Sequence, residues 1–187
     1  MDLRSFPVWM RLAVFTMLGF SVSTDIADAR KPIPFCHDLK GHRSPVKGPW
    51  MEGDEPAEVM CVVDGDTFDV KLKDHNGRIV RIRLWGADCP ESSFNSKCMR
   101  NGRAECAEEI KEGKKTSEKA RNMLGNGKVT LKPPYANNGD RKLAYMHLAN
   151  GVDFGRKLIS SCLCSAPSKY KHKRKKDYRR AADRCNR

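Results

Sequence analysis

Three segments in the middle of the chain alternate between apolar and polar residues. They read VMCVV at 59–63, FDVKLK at 68–73 and RIVRIRLW at 78–85, with DGDT and DHNG between them. β-Branched, alternating residues bounded by Asp-Gly and Asn-Gly are typical of strands joined by tight turns. The pattern therefore predicts two hairpins in a three-stranded meander.

A helical pattern follows at 102–127, GRAECAEEIKEGKKTSEKARNMLGNG. Its apolar residues recur at roughly helical spacing, and Gly125 is a stop signal. They are Ala107, Ile110, Ala120, Met123 and Leu124. The segment is predicted to be a helix, with a possible break near Gly113.

The remaining periodic segments complete a small mixed fold. KVTLKP at 128–133 and RKLAYMHL at 141–148 are predicted strands, and VDFGRKLISS at 152–161 begins with an apolar helical face. No internal repeat is found. Five strands interleaved with about three helices predict an α+β barrel.

The N-terminus is typical of a secretory signal. The apolar run from Leu12 to Val22 is only eleven residues long, and Ala27-Asp28-Ala29 offers the small-x-small cleavage pattern. A membrane span needs roughly 20 apolar residues. We interpret residues 1–29 as a cleaved signal peptide, after which no stable membrane insertion is expected. An uncleaved anchor is the alternative.

The rest of the chain divides into a leader and one domain. Residues 30–56 are rich in Pro, Gly and charge without periodicity, which indicates an extended N-terminal segment held by Cys36. Residues 57–187 form the predicted domain with a basic C-terminal tail, and we expect a monomer.

Charge favours an anionic partner. Lys and Arg number 36 against 23 Asp and Glu, a net charge of +13. Such a surface attracts polyanions, although solubility alone would also explain it. The tail at 168–187, SKYKHKRKKDYRRAADRCNR, is either a nucleic-acid-binding segment or a solvated terminal helix.

All eight cysteines follow the predicted cleavage site. An even number in an exported chain indicates disulfides, with a metal site or free thiols as alternatives. Cys98 and Cys106 bracket a short polar segment and are the most specific predicted pair.

Two acidic clusters carry the candidate chemistry. Asp66 lies in the DGDT turn, and Asp88 and Glu91 flank Pro90 after the third strand. Alone, DGDT would be an ordinary hairpin turn. If the hairpin ends meet on one side of the barrel, the carboxylates and a backbone carbonyl form a hard-oxygen site suited to Ca²⁺. Arginine forks from the neighbouring strands would grip a phosphate.

Three motifs together resemble the staphylococcal-nuclease-like (thermonuclease) family. They are DGDT at 64–67, RLWGADCPE at 83–91 and GDRKLAY at 139–145, in the family's order and close to its spacing. The resemblance implies an OB-fold barrel with helices and a metal-dependent phosphodiesterase acting on DNA and RNA.

The resemblance also implies a role for each matching residue. The Ca²⁺ ligands would be Asp66, Asp88 and the backbone carbonyl of Cys89. Glu91 would orient or deprotonate the attacking water. Arg83 and Arg141 would hold the scissile phosphate.

Several positions depart from the family pattern. Cys89 replaces a small residue before proline, Asp140 replaces the glycine before the second arginine, and the base-stacking aromatics have only Tyr170 and Tyr135 as candidates. The leading hypothesis is an exported Ca²⁺-dependent nuclease, secreted or periplasmic. The alternatives are a catalytically silent OB-fold module that binds nucleic acid or protein, and a disulfide-rich structural protein.

Overall fold

The computed structural model describes residues 31–39, 52–167 and 174–185. The predicted signal peptide, part of the extended segment and Tyr170 lie outside these ranges. Their assignments remain predictions. Within the described ranges, no helix is both long and apolar enough to cross a membrane.

Five strands form a closed barrel. They are β1 (Glu55–Asp64), β2 (Thr67–Leu72), β3 (Ile79–Leu84), β4 (Lys128–Asn138) and β5 (Arg141–Leu148). Their order around the barrel is β1-β2-β3-β5-β4. Every neighbouring pair is antiparallel except β3 and β5. The predicted α+β barrel, including its three-stranded meander, is confirmed.

Two strand boundaries differ from the sequence pattern. β1 begins at Glu55, before the predicted domain boundary, because this residue pairs with Leu131 of β4. β4 continues beyond KVTLKP to Asn138, because its second half pairs with the start of β5, Asn138 opposite Arg141. The polar residues there gave no alternation from which this extension could be predicted.

In the described part of the chain, three α-helices accompany the barrel: α1 (Arg103–Met123), α2 (Phe154–Ser160) and α3 (Lys175–Ala182). The predicted break near Gly113 is wrong, because α1 is continuous through this residue. Glycine usually weakens a helix. At this position it permits a close contact with the backbone of Glu91, described below.

The barrel interior is filled by the alternating apolar residues of the strands. Val62, Phe68, Ile82, Leu84 and Met146 are all at most 2 % exposed. Complete burial of such a side chain contributes about 1.5–3 kcal/mol. These strands therefore provide a rigid frame for the loops at their ends.

The structure contains four disulfides, and the described residues include no free cysteine. The predicted Cys98–Cys106 pair is confirmed. The other pairs are Cys36–Cys61, Cys89–Cys164 and Cys162–Cys185. Cys36 holds the N-terminal segment against β1 as predicted, and the amide of Val62 donates to the Pro34 carbonyl at 3.0 Å.

Candidate active site

The two acidic segments lie side by side. Asp66 belongs to the turn between β1 and β2, and Asp88 follows β3. The backbone amide of Cys89 donates to Oδ2 of Asp66 at 3.1 Å. Asp66 is 1 % exposed. The closed barrel therefore brings together the turn and the strand end that the sequence singled out.

Arg83 joins the two aspartates. Its Nη1 lies 2.8 Å from Oδ1 of Asp66, and its Nη2 lies 2.6 Å from Oδ1 of Asp88. Arg83 is 8 % exposed and pairs across the sheet with Thr67. The planar guanidinium has the fixed fork needed to bridge two carboxylates, which a lysine ammonium does not have.

Glu91 is held by two residues that the sequence analysis did not identify. Lys97 Nζ lies 2.8 Å from Oε1 of Glu91 and 3.1 Å from Oδ1 of Asp88. The side-chain amide of Asn95 donates to Oε2 of Glu91 at 2.7 Å. Lys97 therefore connects the acid after Pro90 to the acid before it.

Asn95 also organises the short segment that carries Lys97. Its Oδ1 accepts hydrogen bonds from the amides of Lys97 and Cys98, both at 2.9 Å. A 3₁₀-helix, Cys98–Asn101, follows. Asparagine commonly accepts a hydrogen bond from the backbone amide two residues on, so this turn is a local signal present in the sequence. Nothing in the local pattern indicated that Lys97 would contact Glu91.

The surroundings shift the pKa values of the charged groups. Burial raises the pKa of Glu91, but the hydrogen bonds and charges of Lys97, with Asn95 and Arg83, outweigh it, so the pKa lies below its usual value. Burial lowers the pKa of Lys97, while Glu91 and Asp88 raise it by more. Glu91 is therefore ionised at neutral pH.

Arg141 completes the group of predicted phosphate-binding residues. It begins β5, and with Arg83 and Glu91 it lines a cavity of about 350 Å³, together with Asn95 and Lys97. Asp88 and Cys89 line a neighbouring cavity of about 740 Å³. The structure thus brings the three predicted catalytic residues to one cavity, beside two of the three predicted metal-binding residues.

Helix α1 supports the backbone of this site. A Cβ on Gly113 would lie 2.1 Å from the carbonyl oxygen of Glu91 and 2.8 Å from that of Pro90. Glu109, one turn earlier, accepts from the Glu91 amide at 3.3 Å. Only a glycine allows α1 to approach so closely.

A second support lies on the other side of the loop. Cys89 is bonded to Cys164, and Asp88 exchanges two backbone hydrogen bonds with Ser165, at 2.8 and 3.0 Å. The disulfide therefore anchors the loop after β3 to the segment after α2. This contact could not be predicted from local sequence, because the two cysteines are 75 residues apart.

The oxygen atoms of Asp66, Asp88 and the Cys89 carbonyl fit Ca²⁺ by their chemistry. Hard oxygen ligands are those that Ca²⁺ prefers. Burial, and after it the charge of Asp64, raises the pKa of Asp66 well above its usual value, against the opposing charge of Arg83. A divalent cation would offset this cost of burying an anion.

A second cluster of possible metal ligands has a structural explanation. One atom from each of Cys36, Cys61 and Asp69 lies within 4.8 Å of the others. The two sulfur atoms are joined in a disulfide, and Asp69 receives two hydrogen bonds from Arg81 at 2.7 and 2.8 Å. These groups are engaged with one another and offer no thiolate ligand.

Of the two candidate stacking aromatics, Tyr135 belongs to the described residues and Tyr170 does not. The Tyr135 hydroxyl lies within 2.9 Å of the carbonyls of Gly53 and Leu131. Burial, then the charges of Glu55 and Asp54, raise the pKa of this hydroxyl. Trp85, which directly follows β3, stacks on Tyr145 with 6.1 Å between ring centroids.

Comparison with known proteins identifies the family. A family model described as staphylococcal nuclease homologue matches residues 81–186. A comparison with curated proteins finds no match. The matched range is more than half of the chain and contains Arg83, Asp88, Glu91 and Arg141. The chain therefore belongs to the staphylococcal nuclease homologue family.

Proposed function

We propose that this chain is an exported, Ca²⁺-dependent nuclease that hydrolyses phosphodiester bonds of DNA, RNA or both. The observation that carries the proposal is the cavity shared by Arg83, Glu91 and Arg141 beside Asp66 and Asp88. This combination of a carboxylate base and two guanidinium groups suits attack of water on a phosphodiester.

Each residue has a distinct role in this proposal. Ionised Glu91 accepts a proton from water as the water oxygen attacks phosphorus and the bond to the leaving oxygen breaks. Arg83 and Arg141 donate hydrogen bonds to the non-bridging oxygens, where negative charge builds up. Asp66, Asp88 and the Cys89 carbonyl would hold Ca²⁺, whose chemistry is to stabilise that same charge.

Lys97 and Asn95 position Glu91 in this scheme. Their bonds at 2.8 and 2.7 Å engage one oxygen each of the carboxylate. They fix the direction of the base, and they also reduce its proton affinity. Substrate binding has to leave one oxygen of Glu91 able to reach the water.

The disulfides support export. Four disulfides persist in oxidising compartments and are rare in the cytosol. Together with the predicted signal peptide at 1–29, they favour a secreted or periplasmic location.

The decisive test is cleavage of single-stranded DNA by the purified mature protein. We expect cleavage with Ca²⁺, none in excess chelator, and poor substitution by Mg²⁺, which demands near-octahedral geometry. Ca²⁺ should also raise the melting temperature, because binding to the folded state stabilises it. Full activity in chelator would contradict the role of the metal.

One observation favours the alternative of a silent binding module. Arg83 and Lys97 already neutralise Asp66, Asp88 and Glu91 in the structure. If these pairs persist in solution, the protein would bind nucleic acid equally well with and without Ca²⁺ and would not cleave it. The same assay with a parallel binding measurement separates the two functions.

A further inference from the structure

A second large cavity lies between α2, α3 and the end of β5. Its volume is about 610 Å³, and five of its lining residues are basic. They are Arg156, Lys157, Arg174, Arg180 and Arg184. We call this feature the α2–α3 cleft. It shares no lining residue with the cavity that holds Glu91.

The two acidic residues of the cleft are already engaged. Asp153 accepts hydrogen bonds from Arg174 at 2.6 Å and from the Tyr178 hydroxyl at 2.9 Å, and it caps α2. Asp177 lies 3.8 Å from Arg180. The cleft therefore has a clear excess of positive charge.

Three basic side chains are available to a ligand. Across the described ranges, Arg156, Lys157 and Arg184 form no ion pair, and Arg156 and Arg184 are exposed. Like charges in one concave surface repel one another unless an anion neutralises them. The cleft thus has the charge and shape of a site for a multiply charged anion.

The cleft is a built surface rather than a loose tail. Tyr178 is 1 % exposed, its ring packs against Tyr145, and a Cβ on Gly155 would lie 2.8 Å from its hydroxyl. The disulfide Cys162–Cys185 joins the end of α2 to the chain after α3. The backbone segments that carry the basic residues are therefore held together.

The position of the cleft relates it to the candidate active site. Arg141 is the first residue of β5, and His147 is the last but one. They are six positions apart, so they lie on the same face of the strand. Six residues of strand span about 20 Å. A single nucleic-acid strand that occupies the active site could therefore reach the cleft, within the roughly 4–16 nucleotides that an OB fold binds.

We propose that the α2–α3 cleft is a second phosphate-binding site, which takes the sugar–phosphate backbone of the same nucleic-acid strand that is cleaved at Glu91. The identity of this polyanion rests on the proposed function. Among the residues that the structure describes, no Phe, Tyr or Trp lines the cleft. Because these described residues offer bases no such ring to stack on, we expect the contacts to go to phosphates, which carry no sequence information.

His147 provides a local probe of the cleft. Arg174 can only donate, so Nε2 of His147 accepts from it at 2.8 Å, and Nδ1 donates to the Gly151 carbonyl at 3.0 Å. Burial, then the charge of Arg174, lowers the pKa of this imidazole. A bound phosphate should raise it, which NMR titration can follow, with the His147→Gln spectrum assigning the signal.

The test removes the three available charges together, as Arg156→Gln, Lys157→Gln and Arg184→Gln. The control removes three exposed charges from the β2–β3 hairpin, as Lys71→Gln, Lys73→Gln and Arg78→Gln. Binding of an oligonucleotide of about 16 nucleotides is measured in chelator over a range of salt concentrations. Each phosphate contact contributes about 0.7 to the slope of log K against log salt.

The cleft variant should lower the slope by about 2, while the control leaves it unchanged. Oligonucleotide should raise the pKa of His147 in the parent protein, and cleavage of a dinucleotide should be equal in both variants. Equal slopes in parent and cleft variant, or equal flattening in both variants, would overturn the proposal. If the cleft variant lost heparin binding but kept its DNA binding, the ligand of the cleft would be a sulfated glycan. That result would also overturn the proposal.

Failure of the nuclease proposal has a different signature. A parent protein that cleaves neither substrate, but binds DNA with a steep slope that only the cleft variant flattens, would refute the nuclease function and retain the cleft as a phosphate site.

Discussion

At the scale of single residues, Arg83 has two structural roles. It faces the cavity with Glu91 and Arg141, and it bridges Asp66 and Asp88 at 2.8 and 2.6 Å. Substituting it would disturb the aspartates and the proposed phosphate contact together. Glu91 and Arg141 are therefore the better positions for isolating one chemical role.

Replacing Glu91 by Gln removes the proposed base and retains the side-chain shape. We expect kcat to fall by on the order of 10² to 10⁴ with little change in substrate affinity. Single-turnover cleavage with parallel binding measures this. Glu108→Gln, an exposed position on α1, is the control, and circular dichroism checks folding. Cleavage by folded Glu91→Gln at the parent rate would remove Glu91 from the mechanism.

Replacing Arg141 by Lys retains the charge and removes the guanidinium fork. The rate should fall on the order of 10²-fold, the scale of one lost donor to developing negative charge. Binding of uncleaved substrate should change much less. Arg78→Lys, on the distant β2–β3 turn, should cleave at the parent rate. An unchanged rate for Arg141→Lys would mean that Arg141 makes no contact specific to the transition state.

The residue types of the site could be predicted from sequence, whereas their mutual contacts could not. The three motifs indicated Asp66, Asp88, Glu91, Arg83 and Arg141, because local patterns preserve order and spacing. The Lys97 contact depends on how the chain returns after Pro90. Its position follows from the Cys98–Cys106 disulfide and from the hydrogen bonds of the Asn95 side chain to the Lys97 and Cys98 amides, which local periodicity does not report.

At the scale of secondary-structure elements, α1 fixes the loop after β3. The strands were predictable because alternation reports one buried face directly. The helical pattern was less informative at Gly113, where glycine usually weakens a helix and a possible break was predicted. Helix α1 is continuous there. The residue is glycine because the backbone of Glu91 lies against it, a tertiary contact invisible in the helical pattern.

Gly113→Ala tests this support. Alanine gains about 1 kcal/mol of helix propensity over glycine, but its Cβ would collide with the Glu91 carbonyl. Overpacking of this kind typically costs about 1–3 kcal/mol. We expect lower stability in urea unfolding and a reduced cleavage rate.

The matched control is Gly53→Ala, where a Cβ would meet nothing within 4 Å. It should change neither stability nor rate. A Gly113→Ala protein that is more stable than the parent and fully active would show that α1 can move away from Glu91 at no cost.

At the scale of the whole molecule, the pKa of His147 links stability to pH. Burial and Arg174 hold this pKa below the ordinary value of about 6.5. Below about pH 6.5 the imidazole binds a proton more readily in the unfolded chain than in the folded protein, so the free energy of unfolding falls as pH decreases. Above it both states are neutral and the residue contributes nothing to the pH dependence.

His147→Gln should therefore lose less stability between pH 7 and pH 5 than the parent. Urea unfolding with the disulfides intact measures the difference. The control is His75→Gln, because the imidazole of His75 contacts Glu55 at 3.2 Å and takes no part in the Arg174 contact. An equal loss in the His147→Gln protein and the parent would contradict the linkage.

The unequal spacing of the disulfides has a consequence for the order in which the protein folds. Cys98 and Cys106 are 8 residues apart, whereas Cys89 and Cys164 are 75 apart. Cys89 follows β3, and the segment between Cys89 and Cys164 contains β5, which pairs with β3 in parallel. Short chain closures cost less entropy than long ones. During oxidative refolding, Cys98–Cys106 should therefore form early. Cys89–Cys164 should form last, after β5 has joined β3, so that its oxidation reports closure of the barrel and assembly of the Asp88 loop together.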